Sequence, residues 1–244
     1  MAIFSSTANA GPLQVAVPDE GKTMPIVREE IALVTDSRGQ IAEQFRNLRN
    51  SIVALNPESA PRSVVVTSSL RGEGKSVAAV NLALALAEMP GSRILLLDAN
   101  MHAPSVEEYM SMPRRQGLSE LLSGRLSLDH AIRPTNVPAL AVLGAGSQAR
   151  NPSELLASER MKTLLSTLKR RFTYVVIDTP EASTTSDASL LGAISDGVVL
   201  VVRQNTTPRQ YVEQTYNLLE SLGANVLGTV LTGAQMRDTA RSSR

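Results

Sequence analysis

The chain has 244 residues, 43% of them hydrophobic and 19% charged, which suits one sizeable globular core and excludes an intrinsically disordered chain. A net charge of +1 and 3% aromatic residues exclude the basic field and stacking platforms of a nucleic-acid binder; the lack of cysteine excludes disulfides and thiolate metal sites and suits a cytoplasmic location. No run approaches the ~18 apolar residues of a membrane span, so no direct membrane insertion is expected.

The opening MAIFSSTANAGPLQVAVPDEGK has neither the basic start nor the continuous apolar stretch of a secretory signal. Residues 1–30, rich in small residues, Pro and Gly, read as a flexible arm. One domain is expected over 31–236, followed by a short flexible tail over 237–244. From Arg38 to Leu55, the spacing of Ile41, Phe45, Leu48 and Ile52 predicts an amphipathic helix with those four on one face. Short apolar runs follow: SVVVT at 63, RILLLD at 93, LAVL at 140, YVVID at 174, GVVLVVR at 197 and NVLGTVL at 225. Several are apolar on both faces, as buried parallel strands are. Helical patterns over 76–88, 153–171, 187–194 and 208–222 separate most of them, with Asn151 and Pro152 marking the start of the second. Strand and helix alternating in this way predict an α/β fold: a parallel sheet with helices on both faces.

The stretch VVVTSSLRGEGKSVAAVNLALALA, beginning at Val64, runs from a buried strand through a glycine turn into a helix. A helix that starts there presents unpaired backbone N–H groups and the positive end of its dipole. Gly72 and Gly74 let the backbone wrap a phosphate, Lys75 supplies charge for the β and γ phosphates, and the Ser76 hydroxyl is a ligand for Mg2+. The phosphate-binding segment is therefore Ser69, Leu70, Arg71, Gly72, Glu73, Gly74, Lys75, Ser76 and Val77. Ser69 stands where the usual formula has its first glycine, which the fold tolerates if its backbone angles are ordinary. Asp98 and Asp178 close two further strands at the same sheet edge, where ligands of parallel sheets bind. Each is a candidate for a metal or nucleophile contact, and each could equally do no more than cap the turn that follows.

TSSLRGEGKS, ILLLDAN and VVIDTPE resemble the Walker A, A′ and B segments of the bacterial tyrosine kinases (BY-kinases), relatives of the MinD/ParA P-loop ATPases that regulate capsule and exopolysaccharide synthesis. EQFRNLRNSI resembles that family's E-x-x-R-x-x-R oligomerisation motif, carried by Glu43, Arg46 and Arg49, and the likeness runs from about Arg38 to Gly233. The resemblance implies an ATP and Mg2+ site with Lys75 and Ser76 on phosphate and metal, Asp98 near the attacking hydroxyl, and Asp178 helping to hold Mg2+. It also implies a homo-oligomer, ring or dimer, recruited to the inner face of the plasma membrane by the cytoplasmic tail of a membrane-embedded polysaccharide co-polymerase that activates it.

The chain departs from the family at three places. Walker A′ has Asn100 and His102 where the family has a second Asp and an Arg; Asn100 lacks the charge but can still bind a metal-held water. Walker B ends Pro180-Glu181 rather than Pro-Pro. No tyrosine follows Tyr216, where the family carries a phosphorylated tyrosine cluster. Two readings stand: a kinase-type ATPase of polysaccharide synthesis or export with tyrosine phosphoryl transfer, and a non-kinase ATPase switch whose ATP-bound state controls partner binding. A ParA/MinD-type positioning ATPase fits less well, because Leu70 and Arg71 occupy the place of its early loop lysine.

Overall fold

The computed structural model describes residues 28–56, 58 and 62–234. Nearly all of the arm expected at 1–30, and all of the tail expected at 237–244, lie outside the described residues. In chain order the elements are α1 (Ala32–Thr35), α2 (Gln40–Ala54), β1 (Arg62–Ser68), α3 (Lys75–Ala87), β2 (Ile94–Asp98), α4 (Val106–Tyr109), α5 (Leu118–Leu122) and α6 (Leu128–Ala131). They continue with β3 (Arg133–Pro134), β4 (Leu140–Leu143), α7 (Pro152–Ala157), α8 (Glu159–Arg171), β5 (Tyr174–Asp178), α9 (Asp187–Ile194), β6 (Gly197–Arg203), α10 (Arg209–Ser221) and β7 (Val226–Thr232).

The strands form one seven-stranded sheet in the order β3-β4-β2-β5-β1-β6-β7, parallel throughout except for the short antiparallel pair β3–β4. The expected parallel α/β fold is therefore present, with one extra edge strand. Two residues long and carrying Pro134, β3 offers no periodicity to read, and its proline sits at the sheet edge where a missing donor is tolerated. Alternate residues of the central strands enter opposite cores. Val64, Val66 and Val176 pack on the α2–α3 side, while Val65, Val175 and Ile177 pack with Leu164, Leu168 and Leu191 on the other.

From β1 the chain moves to β2 on one side of the sheet, and from β5 it moves to β6 on the other. Neighbouring strands whose connections leave in opposite directions open a crevice at their carboxyl ends, and β1 and β5 are such neighbours. That geometry brings the loop after Ser68 beside the loop after Asp178.

Helix α3 is apolar on nearly every side, from Ala78 to Leu86, because it is covered twice. The sheet lies beneath it and α1 and α2 lie above. Asn81 ties these layers together: its amide donates to the carbonyls of Glu30 (3.0 Å) and Val77 (2.9 Å), and its oxygen accepts from the Leu33 N–H (3.2 Å).

Two sequence expectations need correction. Ile41 is 58% exposed; the buried stripe of α2 is Ala42 and Ile52, flanked by the partly buried Phe45 and Leu48. The first turn is packed through Ala42, and the buried stripe is turned toward that residue, which leaves Ile41 at its edge. The single helix expected over 153–171 is two, because Ser158 takes an extended conformation (ψ 153°) and starts a new helix, its hydroxyl accepting from the Met161 N–H (3.3 Å). Asn151 does precede α7 with Pro152 in the first turn, yet its side chain donates to Glu154 (2.8 Å) and caps no backbone amide.

Candidate active site

Gly72 and Gly74 have φ of +81° and +89°, in the left-handed region. Nothing lies within 4 Å of where a Cβ at Gly72 would stand, so backbone conformation, rather than space, requires glycine there. Gly74 is the N-cap of α3, and with no side chain to cover them the first amides of the helix are left for a ligand. Ser69 is absent from the positive-φ residues, so the replacement of the formula's first glycine costs no backbone strain.

The loop is held open by contacts that sequence spacing does not reveal. Glu73 is 2% exposed and turns its carboxylate inward, accepting from the Leu70 N–H (2.7 Å) and from the Thr207 hydroxyl. Arg203, at the end of β6, donates to the Gly72 carbonyl (3.1 Å), and Thr232, at the end of β7, donates to the Glu73 carbonyl (2.7 Å). Two strand ends and the loop after β6 thus brace the turn, and Glu73 is a strut more than a ligand. The only signal for Arg203 in the sequence is a charge closing an apolar strand; Thr207 and Thr232 have none. Arg71 is exposed, while Leu70 and Val77 are half-buried.

Lys75 and Ser76 open α3 and face the end of β5. The Lys75 ammonium pairs with the Glu181 carboxylate at 3.2 Å, and both side chains are largely buried. Asp98 and Asp178 are adjacent residues in the β2–β5 register and fully buried. Asp98 accepts three backbone N–H bonds, from Asn100, Ser105 and Val106, each at 3.0 Å. Neither oxygen of Asp178 has a hydrogen-bond partner of ordinary geometry among the described residues. Burial and then the charge of Asp98 push Asp178 above the usual carboxylate range, against the pull of the Ser76 hydroxyl and the Lys75 ammonium. Burial also pushes Asp98 up, against three N–H donors that favour its ionised form.

A buried carboxylate without donors, set beside a hydroxyl at a helix start, fits a divalent cation that keeps several waters and takes phosphate oxygens as its other ligands. Ser76 and Asp178 are the residues that would hold Mg2+; when bound, it would neutralise charge on the β and γ phosphates. Among the described residues there is no cluster of three His, Cys, Asp or Glu side chains that could hold a metal ion.

The Walker A′ departures have structural explanations. The Asn100 side-chain oxygen accepts from the Ala103 N–H (3.1 Å), so it shapes its own loop. His102 contacts Asp187 (3.1 Å), which also accepts from the Ser153 hydroxyl (2.5 Å). The proposed oligomerisation residues lie on α2, away from the crevice. Arg46 makes a two-bond contact with Glu88 (2.7 and 2.8 Å), and Arg49 reaches the same carboxylate (3.1 Å) and the Ala85 carbonyl (3.0 Å). Hydrogen bonds from Arg46 hold Glu88 below the usual carboxylate range. Glu43, 3.5 Å from Arg46, remains exposed.

A three-layer α/β sheet with a glycine loop, lysine and hydroxyl at the β1–α3 junction defines a P-loop NTPase. The model of the ParA family, described as NUBPL iron-transfer P-loop NTPase, matches residues 59–239. Tyrosine-protein kinase YwqD of Bacillus subtilis (strain 168) is 30% identical over 86% of this chain and 88% of its own length. The succinoglycan biosynthesis transport protein ExoP of Rhizobium meliloti (strain 1021) is 32% identical over 91% of this chain, which corresponds to 28% of that larger protein. The crystal structure of the chimerical protein CapA2B2 superposes with a TM-score of 0.78 at 35% identity, covering 84% of this chain and 90% of that one. The chain belongs to the bacterial tyrosine-kinase (BY-kinase) family of ParA-like P-loop NTPases. No helix among the described residues is long and apolar enough to cross a membrane.

Proposed function

We propose that this protein binds MgATP and acts as a BY-kinase-type phosphotransferase or ATPase in polysaccharide synthesis or export, changing its oligomeric state with the nucleotide. One observation carries this reading: the buried carboxylate of Asp178, with no hydrogen-bond partner of ordinary geometry among the described residues, lies beside the Ser76 hydroxyl and the Lys75 ammonium. Lys75 and the loop amides hold the phosphates, while Ser76 and Asp178 hold the cation. The names of YwqD and ExoP support the kinase chemistry and the polysaccharide setting. In this reading the chain works in the cytoplasm as a ring or dimer assembled through Glu43, Arg46 and Arg49. It is brought to the inner face of the membrane by the cytoplasmic tail of a polysaccharide co-polymerase.

A second reading, an ATPase switch without tyrosine transfer, is favoured by Asp98. The residue assigned beside the attacking hydroxyl already has both oxygens engaged by three amides. Tyr174 is buried in β5, which leaves Tyr211 and Tyr216 as the well-exposed tyrosines among the described residues.

Incubation with ATP labelled on its γ-phosphate, with and without the candidate activator's cytoplasmic tail, separates the two. Label on protein tyrosine supports the kinase. Released phosphate with unlabelled protein supports the switch. Calorimetry showing no heat with ATP and magnesium overturns both.

A further inference from the structure

Glu181 is where Walker B departs from its family, and the structure gives the departure a role. Its Oε2 lies 3.2 Å from the Lys75 ammonium, with side-chain exposures of 14% and 9%. The ammonium that the nucleotide reading places on the β and γ phosphates is therefore already neutralised by a carboxylate of the same chain. One lysine cannot keep a close carboxylate and a polyphosphate equally well, because each added negative charge repels the other.

The backbone around Glu181 is fixed, so the side chain is the part able to yield. The Thr179 N–H and hydroxyl both donate to the Val66 carbonyl (3.2 and 3.0 Å), and the Thr67 hydroxyl donates to the Pro180 carbonyl (2.9 Å). The Ala182 N–H donates to the Ser68 carbonyl (2.9 Å). These bonds clamp the segment to β1 immediately before the phosphate loop. The other carboxylate oxygen, Oε1, accepts from the Thr184 hydroxyl (3.1 Å), which offers the group a second partner on its own loop.

We propose that Glu181 is an exchangeable counter-ion of Lys75 and sets a nucleotide preference: it occupies the ammonium until a β-phosphate displaces it, so only nucleotides that reach Lys75 compete with it. This rests on the assignment of the β1–β5 crevice as a nucleotide site and adds to it a determinant that discriminates among nucleotides. Glu181 is a specificity residue in this scheme, acting through Lys75, and its charge opposes the binding of nucleoside di- and triphosphates. A nucleoside monophosphate carries no group for Lys75 and leaves the pair intact.

The test is titration calorimetry of MgADP, MgATP and AMP into the wild-type chain, Glu181→Gln and Glu181→Ala. The Gln variant keeps the shape and can still accept from Thr184; the Ala variant removes the arm. Both should bind MgADP and MgATP about three- to tenfold more tightly than wild type, the range of one partly buried charge-assisted contact. AMP affinity should not change. Unchanged or weaker MgADP binding in both variants overturns the role of Glu181, as does an equal gain for AMP, which would mark a general charge effect. If the wild-type chain binds neither MgADP nor MgATP, the nucleotide reading falls and this proposal with it.

Discussion

Asp98 and Asp178 invite comparison because the sequence makes them twins. Each closes a five-residue strand, each is fully buried, and they stand side by side in the β2–β5 register. The loops that follow make them opposites. After β2 the chain doubles back so that three amides converge on Asp98, turning it into the anchor of its loop and the start of α4. After β5 the chain runs away along β1, its polar groups spent on Val66, Thr67 and Ser68, and offers Asp178 no amide donor of ordinary geometry, leaving it beside the Ser76 hydroxyl. Burial alone therefore does not say whether a strand-end acid is structural or functional. What decides it is whether the protein has already satisfied the charge.

The comparison can be broken or sharpened by substitution. The largest effect belongs to the lysine that acts on Asp178. Lys75→Met should weaken MgATP binding at least ~100-fold by calorimetry, since the phosphates lose their charged partner; wild-type affinity would place the site elsewhere. Next, the isosteric changes Asp178→Asn and Asp98→Asn should move stability in opposite directions. Asp178→Asn should lower nucleotide turnover roughly 10- to 100-fold. In denaturant unfolding without nucleotide near neutral pH, the same change should stabilise the chain by about 1 kcal/mol, because folding no longer has to protonate this acid or bury its charge beside Asp98. Asp98→Asn should destabilise it by about 2 kcal/mol, because the new amide group turns N–H toward N–H. Shifts of the same sign in the two variants would erase the distinction.

A pH series tests the same contrast without comparing two folds. Asp178 has a folded pKa raised above its unfolded value, so between those values the folded state binds the extra proton. Its ionisation therefore opposes folding: nucleotide-free stability falls as pH rises from the unfolded pKa through the folded one, then levels off. That limb should shrink in Asp178→Asn to the part that Asp98, also raised by burial, supplies, and an unchanged limb would mean that another group titrates. The smallest effect concerns α2. Arg46→Ala with Arg49→Ala should lower the mass seen by light scattering while costing the single chain about 1 kcal/mol or less, as partly exposed bridges do. An unchanged mass would leave the two arginines as partners of Glu88 alone.

Much of the site was legible in advance. Gly72, Gly74, Lys75 and Ser76 could be placed at the turn between a strand and a helix, because that arrangement depends on local backbone geometry. Six of seven strands showed as apolar runs; β3 did not, being two residues long and proline-bearing. The division of α7 from α8 was hidden because Ser158 is an ordinary residue within a continuous apolar period. Ile41 misled because an apolar spacing gives the centre of a helix face only roughly, and packing turns the buried stripe toward Ala42. Arg203, Thr207 and Thr232 could not be found, since each reaches the phosphate loop from far along the chain.

By itself the sequence determined the class of fold, the glycine loop, and the lysine and hydroxyl that open the helix after it, for alternation, glycine placement and a helix start are all local properties. Only the tertiary structure decided which acid is free, what Lys75 pairs with and what braces the loop. Those depend on where separate strand ends meet and which amides are already taken, and a buried charge is satisfied or stranded by neighbours that may be ~100 residues away in the chain.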